Sequence, residues 1–151
     1  MLVDSDIVPQ CVVRPGSLGG LISLYESNYL KLGALLGDPA TQPGPAVSRT
    51  VRDNDLHLAV EEDSRYTRLL RLTYLFDEPG GSVAEPDVAI RLYLDARVAA
   101  VAGWAGFQRH PRLLALGREH PGEIDRRWAC NMALAKWLDF LLDNGHSYAP
   151  R

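Results

Sequence analysis

The chain has 151 residues, 46% of them hydrophobic and 23% charged, which is the length and composition of one folded domain and not of a disordered segment. Its net charge of −3 at pH 7 gives no overall attraction to nucleic acid or to anionic lipid. The first residues carry acid where a signal peptide carries base, and no apolar run reaches the roughly 18 residues of a membrane span. We therefore expect a cytoplasmic protein that contacts no membrane.

The first predicted element is an amphipathic helix. Residues 1–14 are of mixed character, and we expect a mobile N-terminal extension there, followed by a single domain over residues 15–147. Ser17 is a suitable N-cap, and Gly37 with Pro39 marks the end of the helix. The apolar residues of this helix recur with helical spacing: Leu18, Leu21, Ile22, Tyr25, Tyr29, Leu32, Leu35 and Leu36.

After a loop rich in proline and glycine at residues 37–45, the hydrophobic period changes to two. This alternation predicts four antiparallel strands with one buried face. Arg68 has the parity of the buried face and is an exception that we expect near a strand end. The apolar residues predicted on that face all have even numbers: Leu56, Leu58, Val60, Tyr66, Leu70, Leu72, Tyr74, Phe76, Val88, Ile90, Leu92, Leu94, Val98, Ala100, Ala102 and Trp104.

The shared parity also restricts the turns, because residues paired across two strands lie on the same face of the sheet. Each hairpin should then enclose an odd number of residues. Residues 63–65 and 95–97 fit as three-residue loops. Five-residue loops are the alternative, since neither triplet contains the glycine that three-residue loops prefer.

The last predicted element is a second long helix. Residues 103–122 are interrupted by glycine and proline and predict only a short helical turn at residues 112–116. Helical spacing then returns, with Asp125 in the first turn and Gly145 at the end. The apolar residues of this helix are Ile124, Trp128, Ala135, Leu138, Leu141 and Leu142. The whole pattern predicts an α+β two-layer sandwich, in which an antiparallel sheet of four or slightly more strands packs against two long amphipathic helices.

Two asparagines interrupt the apolar stripes of the predicted helices. Asn28 lies between Tyr25 and Leu32, and Asn131 lies between Trp128 and Ala135. A buried amide must find hydrogen-bond partners or it costs roughly 1–3 kcal/mol. The first interpretation is that each amide bonds a backbone group or the other asparagine and fixes the packing. The alternative is that both line a polar pocket between the helices and the sheet.

A second group of candidates combines arginine and tyrosine on the sheet and its turns. Arg71, Arg91 and Tyr93 should share the outer face, with Arg65 and Tyr66 at one turn and Asp95 at another. Arginine and tyrosine are the residues enriched in the binding hot spots of protein interfaces. The alternative is a solvated face with ion pairs between neighbouring strands.

Other patterns favour no particular chemistry. Residues 109–127 are rich in arginine and histidine, so RNA binding is a further hypothesis, although nearby acidic residues partly cancel the charge. The histidines and the two cysteines lack the spacing of a metal site, and no catalytic motif is present. The cysteine of the last helix, Cys130, is expected to be a buried, inert thiol. We expect no cofactor and no metal ion, and we favour a protein that is not an enzyme.

Several segments also resemble a known family. They are Leu24-Tyr25-Glu26-Ser27-Asn28-Tyr29 with Leu32, Asp63-Ser64-Arg65-Tyr66-Thr67, Arg91-Leu92-Tyr93-Leu94-Asp95-Ala96, Asp125-Arg126-Arg127 followed by Asn131, and Leu134-Ala135-Lys136-Trp137-Leu138. With these, most of residues 21–146 resemble the uncharacterised proteobacterial domain of unknown function 1249, or YqiB-like, family. The resemblance implies a bacterial, cytosolic protein and supplies no catalytic residues.

Three functional hypotheses follow. The preferred one is an adaptor or regulatory domain that binds another protein, or a second copy of the chain, through the outer face of the sheet or residues 103–122. The second is a domain, or an enzyme, that binds a small molecule or an anion in a pocket between the helices and the sheet, lined by Asn28, Asn131, Arg65 and Asp125. The third is RNA binding, which the net charge makes the least favoured. The candidate binding residues are Asn28, Arg65, Tyr66, Arg91, Tyr93, Asp95, Asp125, Arg127 and Asn131.

Overall fold

The computed structural model describes residues 17–105 and 123–149, with backbone only at 75–78, 82–85, 105 and 123–125. Within these residues the fold is α+β, with two helices and a five-stranded antiparallel sheet whose strands follow one another in chain order. The helices are α1, Leu18–Leu36, and α2, Glu123–Asp143. The strands are β1, Ala46–Thr50; β2, Asp53–Asp63; β3, Thr67–Glu78; β4, Gly81–Tyr93; and β5, Val98–Ala105.

Both predicted helices are present with their expected ends. The Ser17 hydroxyl accepts a hydrogen bond from the Gly20 amide at 3.0 Å and caps α1. Gly37 ends α1 with φ of 87°, and Gly145, with φ of 90°, follows the end of α2. The predicted stripe of α1 is wrong at two positions, since the side chains of Leu18 and Ile22 are exposed. Leu24, which the prediction omitted, is buried in their place.

The sheet has five strands, where the sequence predicted four or slightly more. The first strand, Ala46–Thr50, pairs with β2 and was not predicted, because its five residues include serine, arginine and threonine and show no apolar alternation. Strand β2 also begins earlier than expected, at Asp53. Strand β1 is therefore an edge strand of the sheet, and it begins directly after the proline-rich loop.

The core lies between the helices and one face of the sheet. Leu32, Leu35, Leu134 and Leu138 of the helices pack with inward-facing residues of the strands. The even-numbered prediction holds for Leu56, Leu58, Leu70, Leu72, Tyr74, Val88, Ile90 and Leu92, all of which are buried. Tyr66 is a correction: it lies in the β2–β3 turn and is exposed.

The parity predicted for β5 is wrong in its first half. Tyr93 pairs with Val98 around four turn residues, 94–97, instead of three or five. Ala99 and Val101 therefore point into the core, and Val98 and Ala100 do not. A bulge opposite Ala89 and Ile90 restores the predicted inward position of Trp104.

Arg68, the predicted exception, is a buried arginine. The residue is 2% exposed, and the guanidinium donates to the carbonyl oxygens of Pro39 and Gln42 at 2.7 and 2.8 Å. Its Nε lies 3.2 Å from the carboxylate of Asp63. Arg68 therefore fastens the 37–45 loop to the sheet beside the β2–β3 turn.

Candidate functional site

The two asparagines predicted on the helix stripes are in contact. Asn28 Nδ2 donates to the backbone oxygen of Asn131 at 3.0 Å. Asn131 Nδ2 donates to the Arg127 carbonyl at 2.8 Å, and its Oδ1 accepts from the Val101 amide at 2.8 Å. Both side chains are buried. The pair thus joins α1, α2 and β5, which is a packing role.

The two other residues predicted for a helix–sheet pocket, Arg65 and Asp125, lie elsewhere or are not described in full. Arg65 is exposed on the β2–β3 turn, and no contact joins it to either asparagine among the described residues. Arg127, a binding candidate outside that predicted pocket, is exposed on α2. Asp125 lies in the first turn of α2, and its side chain is outside the described part. A polar pocket between helices and sheet stays a prediction.

Four of the candidates come together where two neighbouring turns lie at one end of the sheet, and Arg97, which was not predicted, lies with them. We call this the turn surface and define it by Arg65, Tyr66, Tyr93, Asp95 and Arg97. The side chains of Tyr66 and Tyr93 are 53% and 39% exposed. The Arg65 guanidinium carbon lies 5.2 Å from the centre of the Tyr66 ring, a cation–π contact. An aromatic and cationic patch therefore faces the solvent.

Backbone hydrogen bonds hold the turn surface in a defined shape. The Ser64 amide donates to the Thr67 carbonyl at 2.8 Å and closes the first turn. The Leu94 amide donates to the Tyr66 carbonyl at 2.8 Å, which ties the second turn to the first. The Asp95 carboxylate accepts from the Ala96 amide at 3.0 Å. The exposed side chains thus project from an ordered backbone.

The outer face of the sheet beside the turn surface carries an ion-pair cluster. Arg71 lies 3.1 Å from a carboxylate oxygen of Glu61 and 2.8 Å from one of Asp87, and the Thr73 hydroxyl donates to Asp87 at 2.9 Å. These hydrogen bonds, to Glu61 first and then to Asp87, raise the pKa of the Arg71 guanidinium above its usual value. Arg91 lies 3.9 Å from Glu62. This is the cross-strand pairing expected of a solvated face.

A shallow cavity of about 380 Å³ adjoins this cluster. It lies on the outer face, so it is not the helix–sheet pocket of the second hypothesis. Its lining is mostly aliphatic, and its polar members are His57, Arg71 and Thr73. Arg71 is already bonded to Glu61 and Asp87, and Thr73 to Asp87. The arginine and the hydroxyl are therefore engaged within the protein, and His57 is the polar lining side chain without a recorded partner among the described residues.

Sequence reasoning missed a buried polar network between the sheet and the C-terminal segment. His146 Nδ1 lies 2.9 Å from the Ser48 hydroxyl, and Nε2 lies 3.0 Å from the Asp53 carboxylate. The Ser147 amide donates to the same Ser48 oxygen at 3.1 Å, so the hydroxyl proton is free to point at Nδ1. Tyr74 donates to Asp53 from the other side. No signal in the sequence connects these residues, because 98 positions separate Ser48 and His146.

The network contains serine, histidine and aspartate, the residue types of a nucleophilic triad, but its burial prevents that chemistry. The His146 side chain is 0% exposed and that of Asp53 is 8% exposed, so a substrate cannot reach them. Burial first, and then the bond to Asp53, raise the pKa of the Tyr74 hydroxyl above its usual value. The network fastens the segment after α2 to β1 and β2.

The structure also bears on metal-binding side chains, membrane-spanning helices and Cys130. Across residues 17–105 and 123–149, no three histidine, cysteine, aspartate or glutamate side chains are grouped to hold a metal ion. In the same part of the chain, no helix is both long and apolar enough to cross a membrane. The Cys130 thiol is free, and burial raises its pKa. Residues 1–14 and most of the basic 109–127 segment lie outside the described residues.

The chain has recognisable relatives. Residues 31–147 match the family described as "Protein of unknown function (DUF1249)". "Uncharacterized protein YqiB" of Escherichia coli strain K12 is 28% identical over 134 residues, which cover 86% of this chain and 91% of the relative. The proteins of the same name from the O6:H1 and O157:H7 strains match equally well. No solved structure matches the chain.

Proposed function

This chain belongs to the bacterial DUF1249 family of proteins of unknown function, and we propose that it is a non-enzymatic adaptor or regulatory domain that binds another protein through the turn surface. The observation that carries the proposal is the exposure of Tyr66 and Tyr93 beside Arg65 at one ordered end of the sheet.

Tyrosine and arginine suit this role for physical reasons. Both present a large contact area, and tyrosine loses only two side-chain torsions when it is immobilised in an interface. The Tyr66 and Tyr93 rings are exposed, although burial against a partner would stabilise them. The bond from the Leu94 amide to the Tyr66 carbonyl reduces the ordering that binding would require.

The arrangement of the polar side chains supports a binding role over a catalytic one. The groups best suited to acid–base chemistry, those of Ser48, Asp53 and His146, bond one another in the interior. In the buried asparagine pair, Asn28 Nδ2 and both polar atoms of the Asn131 side chain bond backbone groups. The ionic groups of the outer face are paired with one another. The turn surface is where polar and aromatic groups face the solvent together.

The proposal is tested by removing both rings. Full-length tagged chain is expressed in the bacterium that encodes it, as wild type, as Tyr66→Ala/Tyr93→Ala and as the control Leu18→Ala/Leu30→Ala, which removes two exposed apolar side chains from α1. Proteins cross-linked in the cells are quantified by mass spectrometry. We expect the wild type and the control each to recover at least one protein in an amount about ten-fold or more above that recovered by the tyrosine variant. A loss of that size is typical when hot-spot residues are removed. Equal recovery with all three baits would refute the proposal.

A further inference from the structure

The arginines at the turn end of the sheet fall into two groups. Arg68 and Arg91 each lie near a carboxylate, Asp63 at 3.2 Å and Glu62 at 3.9 Å. Arg65 and Arg97 are exposed, and neither has a carboxylate within 4.0 Å among residues 17–105 and 123–149. Two guanidinium groups of the turn surface are therefore available to an anionic partner.

Arg97 also occupies a backbone position that favours glycine. Its φ is 56°, and no other non-glycine residue of the described chain has a positive φ. A side chain in this left-handed conformation costs roughly 1–2 kcal/mol, because the Cβ approaches the backbone. Glycine would give the more stable turn, so an arginine here breaks the local rule. Such exceptions are expected where the side chain has a use outside the fold.

The residues of the turn surface follow a definite order across the strands at this end of the sheet. Arg65 lies in the β2–β3 turn, Tyr66 precedes β3, Tyr93 ends β4 and Arg97 lies in the β4–β5 turn. The strands are neighbours in the same order, so the two tyrosines lie between the two arginines. The two turns are two strand spacings apart, which is roughly 10 Å. An extended peptide spans that distance in about three residues.

We propose that the turn surface binds an acidic, extended segment of a partner protein, with two carboxylates about three residues apart on Arg65 and Arg97 and the residues between them on Tyr66 and Tyr93. This inference rests on the proposed protein-binding function and adds the chemistry of the partner. Arginine is suited to the task because its planar fork matches a carboxylate.

A peptide fits this surface better than a nucleic acid does. Asp63, Glu62 and Asp95 lie at the same end of the sheet, and the whole chain carries a net charge of −3. A polyphosphate backbone would meet those carboxylates together with only two unpaired arginines, whereas nucleic-acid sites neutralise many phosphates. A short peptide with two well-placed carboxylates avoids that repulsion.

The test selects peptides from a random 12-residue phage-display library on the immobilised full-length chain. Four baits are compared: wild type, Arg65→Gln/Arg97→Gln, Tyr66→Ala/Tyr93→Ala, and the control Arg49→Gln/Arg52→Gln, which removes the same charge from exposed positions at the opposite end of the sheet. The best wild-type peptide is then synthesised with a fluorescent label. Its Kd is measured by anisotropy for all four proteins, at low and high salt.

We expect the selected peptides to be enriched in pairs of aspartate or glutamate about three residues apart. The Kd should rise about five- to ten-fold in the arginine variant and less than about two-fold in the control, with the salt dependence lost in the arginine variant.

Two results would overturn the inference and leave the proposed function standing. The first is that the selected peptides show no preference for acidic residues and lose affinity in the tyrosine variant but not in the arginine variant. The second is that single-stranded RNA displaces the peptide at physiological salt. Peptides that bind all four baits equally would count against both proposals.

Discussion

Asn131 connects three elements. Its side-chain amide donates to the Arg127 carbonyl and accepts from the backbone amide of Val101. Its backbone carbonyl accepts from the side chain of Asn28. We predict that Asn131→Ala lowers the free energy of unfolding by about 2 kcal/mol, because the half-buried Val101 amide loses its acceptor and the helices lose a contact with β5.

Urea unfolding measures this change. The control is Asn144→Ala, which removes a solvent-exposed amide bonded to the Phe140 carbonyl and should cost less than about 0.5 kcal/mol. Equal losses in the two variants would mean that the Asn131 amide does not join the helices to the sheet.

His146 is the second residue whose replacement tests a specific account. We predict that His146→Ala costs about 3 kcal/mol of stability, because Ser48 and Asp53 lose a partner in the interior and a cavity remains. The control is His57→Ala on the outer face, expected to cost less than about 1 kcal/mol in the same thermal or urea unfolding. If the two histidines are equally dispensable, the network does not fasten the C-terminal segment.

The sequence reveals buried polar residues only where they interrupt a period. Asn28 and Asn131 break an apolar helical stripe, and Arg68 breaks the alternation of a strand, so all three could be singled out in advance. Ser48 and His146 lie in segments without periodicity, so nothing marks them. Their contact depends on the chain path between residues 48 and 146, which no local pattern determines.

At the scale of elements, the turns decide which residues of a strand are buried. Alternation predicted β2, β3 and β4 well, because each has long apolar runs of one parity. It failed for the first half of β5 because the turn holds four residues, which moves the following residues to the other face as far as the bulge opposite Ala89 and Ile90. The length of this turn is hard to predict from the sequence, because the residue with the left-handed backbone conformation is Arg97 and not a glycine.

The β4–β5 turn supplies a prediction of its own. Arg97→Gly should raise the free energy of unfolding by about 1 kcal/mol, because glycine adopts φ of 56° without steric cost. The neighbouring substitution Ala96→Gly, at a residue without positive φ, should lower it by a few tenths to 1 kcal/mol. Chemical denaturation of both variants gives the comparison. If Arg97→Gly destabilises the domain, the arginine side chain has a structural role in the turn.

Taken as a whole, the molecule should lose stability in alkaline solution. Burial raises the pKa of Tyr74 and of Tyr148 above the usual value. In the unfolded chain these hydroxyls ionise near pH 10, whereas the folded protein keeps them protonated. The folded state then binds more protons, so their stabilisation is full below that pH and is lost as the pH rises towards the folded values.

We expect the free energy of unfolding, measured in urea between pH 8 and 11, to fall by up to about 1.4 kcal/mol per pH unit for each such tyrosine above roughly pH 10. Tyr148→Phe should reduce that slope. Tyr66→Phe removes an exposed hydroxyl and serves as the control. A slope that is the same in wild type and Tyr148→Phe would mean that the Tyr148 phenol ionises equally in both states.

The central claim, that a partner protein binds at the turn surface, is tested most directly by photo-cross-linking in living cells. A benzoylphenylalanine is placed at Tyr66 in one strain and at the fully exposed Val51, at the opposite end of the sheet, in another. We expect ultraviolet light to give a discrete cross-linked protein from position 66 and none from position 51. A product of equal yield from both positions, or from position 51 alone, would contradict the account.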